Sequence, residues 1–366
     1  MMETITDYLL FSITGSIIAG VLTAVMIQFL RKHATKMRLI DKPGHRKVHK
    51  TVVPVVGGLA IGLAWLLTMI SSPLVWKSAP SIFAILGTGI LLVFVGILDD
   101  RVGLSATKRL AIQLFCSFHI ASWGIRLTSL YGIFGIYELN TWASYLITVV
   151  LIAGVINAYN LIDGIDGLAG LLTLVSFLVL YVISLVMQNG TLLLCLAAIV
   201  GSLVPFLRSN LSKNKIFLGD GGSMLLGFIL VVSGLLLIEQ AQFSDKLLPE
   251  TVVSLVFGLF LVPVLDALRV FATRFLRGYS PFHPDKSHLH HSMLSFKLSH
   301  VQSTLFITFF VAVLAGFTYL FNTLYNIQTA IVCTSLFFFA SSALLRGVVQ
   351  LNEWKNKVRS LERDGV

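Results

Sequence analysis

The chain has 366 residues, of which 56% are hydrophobic and 12% are charged, and its mean hydropathy is +0.88. Soluble domains usually carry about 25% charged residues. A soluble globule of this size cannot bury so much apolar surface, so the composition excludes a cytosolic enzyme. We attribute the net charge of +10 first to orientation in a membrane and not to nucleic-acid binding, because basic loops orient helices in a bilayer. Cys116, Cys195 and Cys333 lie far apart in apolar runs, and we expect small core residues, not a disulfide or a metal cluster.

Runs of roughly 20 apolar residues, the length that crosses a bilayer, predict an all-α polytopic integral membrane protein with about eleven transmembrane helices. The fourth run is the most polar because it contains Gln113, Ser117 and His119, and we expect His119 to be hydrogen-bonded within the bundle. Acidic Glu3 and Asp7 stand where a signal peptide would carry cations, so the first span is expected to be retained. The predicted spans are 8–30, 52–70, 81–98, 109–125, 143–162, 168–187, 190–207, 223–239, 251–268, 303–321 and 328–346.

Lysine and arginine are unevenly distributed among the connections between these spans. One alternate set of connections carries 24 of the 27 basic residues, and the other carries only Lys77, Arg126 and Lys246. The positive-inside rule therefore predicts that the N-terminus lies outside and the C-terminus in the cytoplasm. Residues 1–366 are expected to form a single transmembrane domain, since no connection is long enough for its own core. The predicted cytoplasmic segments are 31–51, 99–108, 163–167, 208–222, 269–302 and a basic tail at 347–366 that lies on the anionic inner leaflet.

Charged pairs mark the cytoplasmic ends of the third and fourth spans. The third span ends in Asp99-Asp100, where the helix dipole disfavours negative charge. This placement indicates either a solvated helix end or a site for a metal or phosphate. Lys108-Arg109 opens the fourth span, again at the unfavourable end of the dipole, and either snorkelling to lipid headgroups or a bound anion explains it. The neighbouring acids favour a phosphate site.

Polar residues recur at every third position where the fifth span closes, in the sequence NAYNLIDGIDGLAG. They are Asn157, Asn160, Asp163 and Asp166, and helical geometry places the first three on one stripe. The glycines that follow allow a tight turn. Helix capping alone explains such an arrangement poorly, so a functional site at the membrane surface is indicated.

A single acid framed by glycines precedes the eighth span in the sequence FLGDGGS. Asp220 could cap the helix, or the glycines could form a phosphate-binding loop around it. With the two other acidic clusters, it predicts a Mg²⁺ ion held by few carboxylates and by substrate phosphates.

The last cytoplasmic loop is rich in histidine and reads SPFHPDKSHLHH. Such a tract binds zinc or, together with a lysine, a diphosphate. The cytoplasmic loops contain no cysteine, and the acids elsewhere suit magnesium, so the anion is favoured over zinc. The first loop, DKPGHRKVH at 41–49, is more varied than orientation requires and leaves room for an anionic head group.

These motifs, in this order, resemble the polyprenyl-phosphate N-acetylhexosamine-1-phosphate transferase family (glycosyltransferase family 4), from Ile40 to about His291. SPFHPDKSHLHH is similar to the bacterial undecaprenyl-phosphate N-acetylglucosamine-1-phosphate branch, not to the muramoyl-pentapeptide branch. The family's acidic motif often ends in a third acid, and here that position is Gly103. Its lysine after the motif falls on Arg109, and Lys108 is the alternative.

The resemblance implies a role for each motif. Asp99 and Asp100 would be the catalytic acidic pair, with Asp163 and Asp166 acting in catalysis and nucleotide placement. The implied magnesium ligands are Asn160 and Asp220; the diphosphate residues are Asp285, His288, His290 and His291; the lipid-phosphate residue is Lys108 or Arg109; the nucleotide or head-group residues are Asn157, Asp41, Arg46, Lys47 and His49.

The implied reaction is transfer of N-acetylglucosamine-1-phosphate from UDP-N-acetylglucosamine to undecaprenyl phosphate, with release of UMP, at the cytoplasmic face of the bacterial inner membrane. It would be Mg²⁺-dependent (with Mn²⁺ as a substitute) and would begin a cell-surface polysaccharide of the O-antigen, common-antigen or teichoic-acid type. Another UDP-N-acetylhexosamine, a covalent aspartyl-phosphate route and a homodimer stay open, and no nucleic-acid partner is expected.

Two other classes use polar residues in a membrane. A secondary transporter of an anionic solute places them near the bilayer midplane, whereas here they cluster at one surface. A CDP-alcohol phosphotransferase carries Ala-Arg after its first Asp-Gly, whereas Gly-Ile follows Asp163 here. Both classes are therefore disfavoured.

Overall fold

The computed structural model describes residues 5–43, 51–280 and 287–364. Long helices account for most of this part of the chain, and the strands form one short antiparallel ribbon in which Ile40 pairs with Pro54. The elements are α1 (Ile5–His33), β1 (Ile40–Asp41), β2 (Val53–Pro54), α2 (Gly57–Ser71), α3 (Pro73–Trp76), α4 (Ser81–Val102), α5 (Ala106–Ser122), α6 (Thr141–Ile162), α7 (Leu168–Val186), α8 (Gly190–Asn210), α9 (Gly219–Ala241), α10 (Pro249–Leu276), α11 (Leu289–Ser295), α12 (His300–Leu324) and α13 (Ile327–Asp364).

Nine of the helices in the described ranges are long and apolar enough to cross a membrane: α1, α4, α6 to α10, α12 and α13. The predicted class, an all-α multi-pass membrane protein, is confirmed. Two further predicted spans coincide with α2 and α5, which have only 15 and 17 residues. α2 is short because Val53 and Pro54 pair with β1, so the helix begins only at Gly57. The count of eleven spans and the orientation of the termini stay predictions.

α9 lies at the centre of the bundle, with 94% of its most apolar 18-residue stretch buried. It packs against α2, α4, α6, α7 and α10. Its glycine-rich start touches α4 directly, because a Cβ atom on Gly96 would lie 2.1 Å from the backbone nitrogen of Gly221. Only two glycines allow the backbones to approach this closely. The contact brings the end of α4, with its two aspartates, beside the start of α9.

The connections at this end of the bundle are shorter than the sequence predicted. Helix α4 continues through Val102, and Gly103 ends it in a left-handed conformation with φ of 69°. The N-cap of α5 is Ser105, whose hydroxyl accepts a hydrogen bond from the Lys108 backbone at 3.4 Å. α9 begins at Gly219, so Asp220 lies in the first helical turn, and its prediction as a residue ahead of the helix is wrong. The early start follows from the close packing of this turn on α4. The predicted cytoplasmic segment 208–222 did not take this packing into account.

The predictions for His119 and for two of the three cysteines as core residues are confirmed. His119 is hydrogen-bonded within the bundle, through Nδ1 to the Thr88 hydroxyl at 3.1 Å and through Nε2 to the Trp123 indole at 3.0 Å. All three cysteines are free; Cys116 and Cys195 are buried, and Cys333 is half-buried. The tail predicted at 347–366 continues α13 as one helix as far as Asp364.

Candidate active site

Ends of α4, α6, α8, α9 and α12 meet, together with the β-ribbon, around a cavity of about 460 Å³. Seven of the predicted site residues line it, and three polar residues that the motifs did not indicate lie beside them. The predicted residues are Asp41, Asp100, Asn160, Asp163, Asp166, Asp220 and His291, and the additional ones are Asn210, Lys215 and His300.

Asp100 and Asp220 face each other across the contact between α4 and α9. The backbone N–H of Asp220 donates to both carboxylate oxygens of Asp100 at 3.2 Å. The Asn160 amide donates to Asp220 Oδ1 at 2.7 Å and to the Ser223 hydroxyl at 2.9 Å. Because both bonds use the amide nitrogen, they fix which way the Asn160 carbonyl oxygen points. Residues from three distant stretches of sequence are thus held in one arrangement of oxygen atoms.

Asp99 lies behind this arrangement and not in the cavity wall. It is buried, and its carboxylate accepts hydrogen bonds from the Leu104 backbone at 2.6 Å and from Arg109 Nη1 at 2.8 Å. The same Arg109 nitrogen lies 3.6 Å from Asp220 Oδ2. Arg109 therefore points into the acidic cluster, whereas the neighbouring Lys108 is exposed. The two cations between which the sequence could not choose have different surroundings.

Asp163 and Asp166 both line the cavity but differ in their partners. Asp163 is the C-cap of α6, and desolvation, reinforced by Asp220 and Asp100, raises its pKa from 3.8 to about 8. The carboxylate of Asp166 accepts a hydrogen bond from Lys215 Nζ at 2.7 Å and lies 3.0 Å from His300 Nδ1. Burial alone would raise the pKa of Asp166, but hydrogen bonds from His300 and Lys215 outweigh it and lower the pKa.

The histidine tract packs against the turn between α6 and α7. A Cβ atom on Gly164 would lie only 2.3 Å from His290 Nε2, so this turn needs glycine to admit the imidazole. Burial, reinforced by His291 and His288, lowers the pKa of His290 to about 3, and the ring is therefore neutral. His291 reaches the cavity, and its ring centroid lies 4.3 Å from that of His290.

The first histidine of the tract, His288, binds an acid that the motifs did not indicate. Its Nδ1 lies 2.9 Å from Asp266 Oδ2 in α10. Asp266 is also paired with Arg269 at 2.6 Å. The sequence did contain a signal for Asp266, because an ionisable residue within a predicted span (251–268) is a functional candidate by itself.

The cavity wall does not include Asp99, Lys108, Arg109, His288 or His290, and five predicted site residues are left. Asn157 lies one turn deeper in α6 than Asn160, is half-buried, and is not among the residues that line the cavity. The other four, Asp285, Arg46, Lys47 and His49, lie outside the described residues.

The oxygen donors of the cavity suit magnesium. Within the described ranges, no lysine or arginine forms an ion pair with Asp100 or Asp163. No three acids or histidines of this part of the chain are grouped closely enough to hold a metal ion by themselves. Mg²⁺ is commonly held by one or two carboxylates and completed by substrate phosphates. The carboxylates and the Asn160 amide fit that mode of binding.

Comparisons with known proteins agree with the motifs. Residues 82–238 match glycosyl transferase family 4. The undecaprenyl-phosphate alpha-N-acetylglucosaminyl 1-phosphate transferase of Escherichia coli (strain K12) is 30% identical over 300 residues, which cover 80% of this chain and 79% of that protein. The enzyme of the same name from Salmonella typhi is 32% identical over 301 residues, covering 80% and 79%.

A relative outside the enteric bacteria covers more of the chain. The probable undecaprenyl-phosphate N-acetylglucosaminyl 1-phosphate transferase of Bacillus subtilis (strain 168) is 31% identical over 334 residues, 90% of this chain and 89% of that protein. Identity of this extent across most of both chains, together with the family match, shows that the chain belongs to glycosyl transferase family 4, as its acidic and histidine motifs predicted.

Proposed function

We propose that this protein transfers N-acetylglucosamine-1-phosphate from UDP-N-acetylglucosamine to undecaprenyl phosphate, giving undecaprenyl-diphospho-N-acetylglucosamine and UMP. The observation that carries the proposal is the convergence of Asp100, Asn160, Asp163 and Asp220 on one cavity at the ends of apolar helices. A cavity at the ends of membrane-spanning helices would admit both a nucleotide sugar from water and a phosphate on a lipid. The activities for which the relatives are named support the same choice of substrates.

The excess of basic residues in one set of connections, which includes those around the cavity, supports a cytoplasmic active site. The relatives come from bacteria, so we assign the protein to the bacterial inner membrane. The product would be the first lipid-linked intermediate of a cell-surface polysaccharide.

In the proposed reaction, an oxygen of the lipid phosphate forms a bond to the β-phosphorus of the nucleotide sugar. The bond from that phosphorus to the bridging oxygen breaks, and UMP leaves with the electron pair. A phosphate monoester with a second pKa of about 6 is already largely ionised at pH 7, so little proton abstraction is needed. The greater requirement is to bring two anions together, which depends on positive charge at the site.

The chain's own cations meet part of this requirement. Arg109 points into the acidic cluster, Lys215 lines the cavity, and exposed Lys108 is placed to meet a lipid headgroup. Within the acidic pair we assign the substrate-facing role to Asp100, which lines the cavity. Asp99 is then a positioning residue, because its carboxylate holds Arg109 and the turn after α4.

Asn160 and Asp220 are the residues that would hold Mg²⁺. When bound, the ion would supply positive charge against the phosphoryl oxygens of the transition state. The carboxylates of Asp100 and Asp163 would also be relieved of their mutual repulsion.

The test is UMP release by the purified protein in detergent, with Mg²⁺, undecaprenyl phosphate and a panel of UDP-sugars. We expect UDP-N-acetylglucosamine to be used best and chelation of divalent ions to stop the reaction. Asp220→Ala should lose UMP release while its thermal unfolding in detergent stays cooperative, and Asp245→Asn, an exposed acid between α9 and α10, is the matched control. Absence of UMP release from every UDP-sugar would overturn the proposal.

Two further outcomes separate details of the mechanism. Full activity of Asp220→Ala would remove the proposed role of this residue in magnesium binding. A trapped phosphoryl group on Asp100 would replace the direct attack by a covalent route.

A further inference from the structure

Asp266 is a buried carboxylate in a membrane-spanning helix, and it lies outside the motifs that identify the family. Only 3% of the surface of Asp266 is exposed. A buried carboxylate in an apolar helix is unfavourable unless it is paired and hydrogen-bonded. The position therefore requires an explanation, and the cavity wall does not include this side chain.

Three groups satisfy the carboxylate. Oδ1 accepts a hydrogen bond from Arg269 Nη2 at 2.6 Å, and Oδ2 lies 2.9 Å from His288 Nδ1 and accepts from the Leu289 backbone at 3.2 Å. Arg269 Nη2 also donates to the carbonyl of Ser287 at 2.7 Å. Asp266 and Arg269 thus tie the last third of α10 to the residues at which the histidine tract begins.

This pairing fixes the chemical form of His288. An ionised carboxylate only accepts hydrogen bonds, so the proton of the imidazole must be on Nδ1 and Nε2 is left for another partner. When Nε2 also carries a proton, it can donate to a phosphate oxygen, and the nearby carboxylate stabilises the resulting imidazolium.

A chain of ring contacts leads from this pair to the cavity. The rings of His288 and His290 are nearly parallel, with 6° between their planes and 5.8 Å between their centroids. His290 lies against Gly164, in the turn that carries Asp163 and Asp166. A change in the orientation of His288 would therefore move His290 and, through it, the turn that forms part of the cavity wall.

We infer that Asp266 and Arg269 are positioning residues for the reaction, which orient His288 so that its Nε2 serves the diphosphate of the nucleotide sugar. Asp266 sets the tautomer because its carboxylate accepts a hydrogen bond from His288 Nδ1. Arg269 keeps Asp266 ionised and holds the Ser287 carbonyl, so that the histidine tract starts at a fixed point. This inference rests on the proposed function.

A double-mutant cycle with Asp266→Asn and His288→Asn tests the inference. If Asp266 acts through His288, each single variant should lower kcat by roughly 10²-fold with little change in KM for the nucleotide sugar. The double variant should then be no slower than the slower single variant, since residues that act as a unit are not additive. Arg269→Lys, which keeps the charge but not the forked geometry, should lose about tenfold.

The outcomes separate positioning from a purely structural role. Losses that multiply in the double variant, or a kcat for Asp266→Asn equal to that of Asp245→Asn, would overturn the inference while leaving the proposed function intact. No UMP release by the wild-type protein would instead overturn the proposed function. Thermal unfolding of every variant in detergent shows whether kcat refers to folded protein.

A measurement on the wild-type protein does not depend on the folding of Asp266→Asn. Nitrogen NMR of protein labelled only in histidine reports which ring nitrogen carries the proton, and the signal that is lost in His288→Asn identifies His288. We expect protonation at Nδ1 in the wild-type protein. A neutral ring protonated only at Nε2 would contradict the inference.

Discussion

Two groups of carboxylates lie at the same end of the bundle and differ in how their charge is balanced. Asp99, Asp166 and Asp266 each have a basic side chain within 3.0 Å. Asp100 and Asp163 line the cavity, and in the described part of the chain neither has a lysine or arginine as an ion-pair partner. The balanced carboxylates hold basic side chains in place, whereas the unbalanced ones have room beside them for a ligand cation.

The difference is also energetic. Removing one partner of a buried ion pair destabilises a protein by about 3–5 kcal/mol because a charge is left uncompensated. Neutralising one of several carboxylates that repel each other has the opposite sign. Neutralising an unbalanced carboxylate should therefore lower activity without lowering stability. Neutralising a balanced carboxylate should lower both.

Asp100→Asn should give the largest effect on activity. We expect UMP release to fall by about 10³-fold, since a group that faces the reacting phosphates is lost. The melting temperature in detergent should stay the same or rise, because the change removes a charge that faces Asp220. Asp99→Asn is the matched control in the adjacent position, and it should lower the melting temperature because Arg109 loses the nearer of its two acidic partners. A clear drop in the melting temperature of Asp100→Asn would contradict the comparison.

The pH dependence of stability should show the unbalanced charge of Asp163. Its folded pKa of about 8 lies above the ordinary value of 3.8. Between these values the folded chain holds a proton that the unfolded chain has lost, so the free energy of unfolding falls as the pH rises, by up to about 1.4 kcal/mol per pH unit. Melting temperatures between pH 5 and pH 8, without divalent ions, measure this slope. The slope should be smaller in Asp163→Asn, and an equal slope in both proteins would contradict the assignment.

Gly164→Ala tests the contact between the histidine tract and the acidic turn. The added methyl group would lie 2.3 Å from His290 Nε2, so the imidazole must move, and we expect kcat/KM to fall by about tenfold. Gly154→Ala in α6 is the control, because a Cβ atom there has no neighbour within 4 Å. That variant should keep its activity and gain up to about 1 kcal/mol of stability. Unchanged activity of Gly164→Ala would show that the position of His290 does not matter to the reaction.

Lys215→Ala should have the smallest effect, because Asp166 keeps its contact with His300. We expect KM for UDP-N-acetylglucosamine to rise by about fivefold, the effect of one partly exposed charged contact. Lys215→Arg keeps the charge and should restore most of the affinity. A KM that does not change in Lys215→Ala would show that Asp166 needs no partner from this loop.

The sequence predicted the membrane class and the family, because apolar length and compact motifs are local signals. It also predicted all the acids of the cavity wall, which are Asp41, Asp100, Asp163, Asp166 and Asp220. It could not predict that Asp99 and Asp100 have different surroundings, since the direction of each side chain depends on the packing of α4 against α9. The number of spans was the least secure, because α2 is shortened by the pairing of β2.

Three of the residues that sequence reasoning missed, Lys215, His300 and Asp266, share one property, which is a hydrogen-bond partner from another element of the chain. Lys215 binds Asp166, and it was counted only as one of the basic residues that orient the loops. His300 belongs to no motif, and Asp266 looked like part of an apolar span. Such pairs are set by tertiary structure, and a single sequence gives no register between helices from which to infer them.

The shortness of α5 has a consequence for the surrounding lipid. A helix of 17 residues is about 26 Å long, whereas the hydrocarbon layer of a bilayer is about 30 Å thick. Phe115 and Phe118 are exposed along this helix, so as a span it would have acyl chains as neighbours. A bilayer thins around a short span, so headgroups beside α5 would be drawn inward, toward the turn that carries Lys108. The thickness of the membrane would thereby set the depth at which the proposed lipid substrate meets the protein.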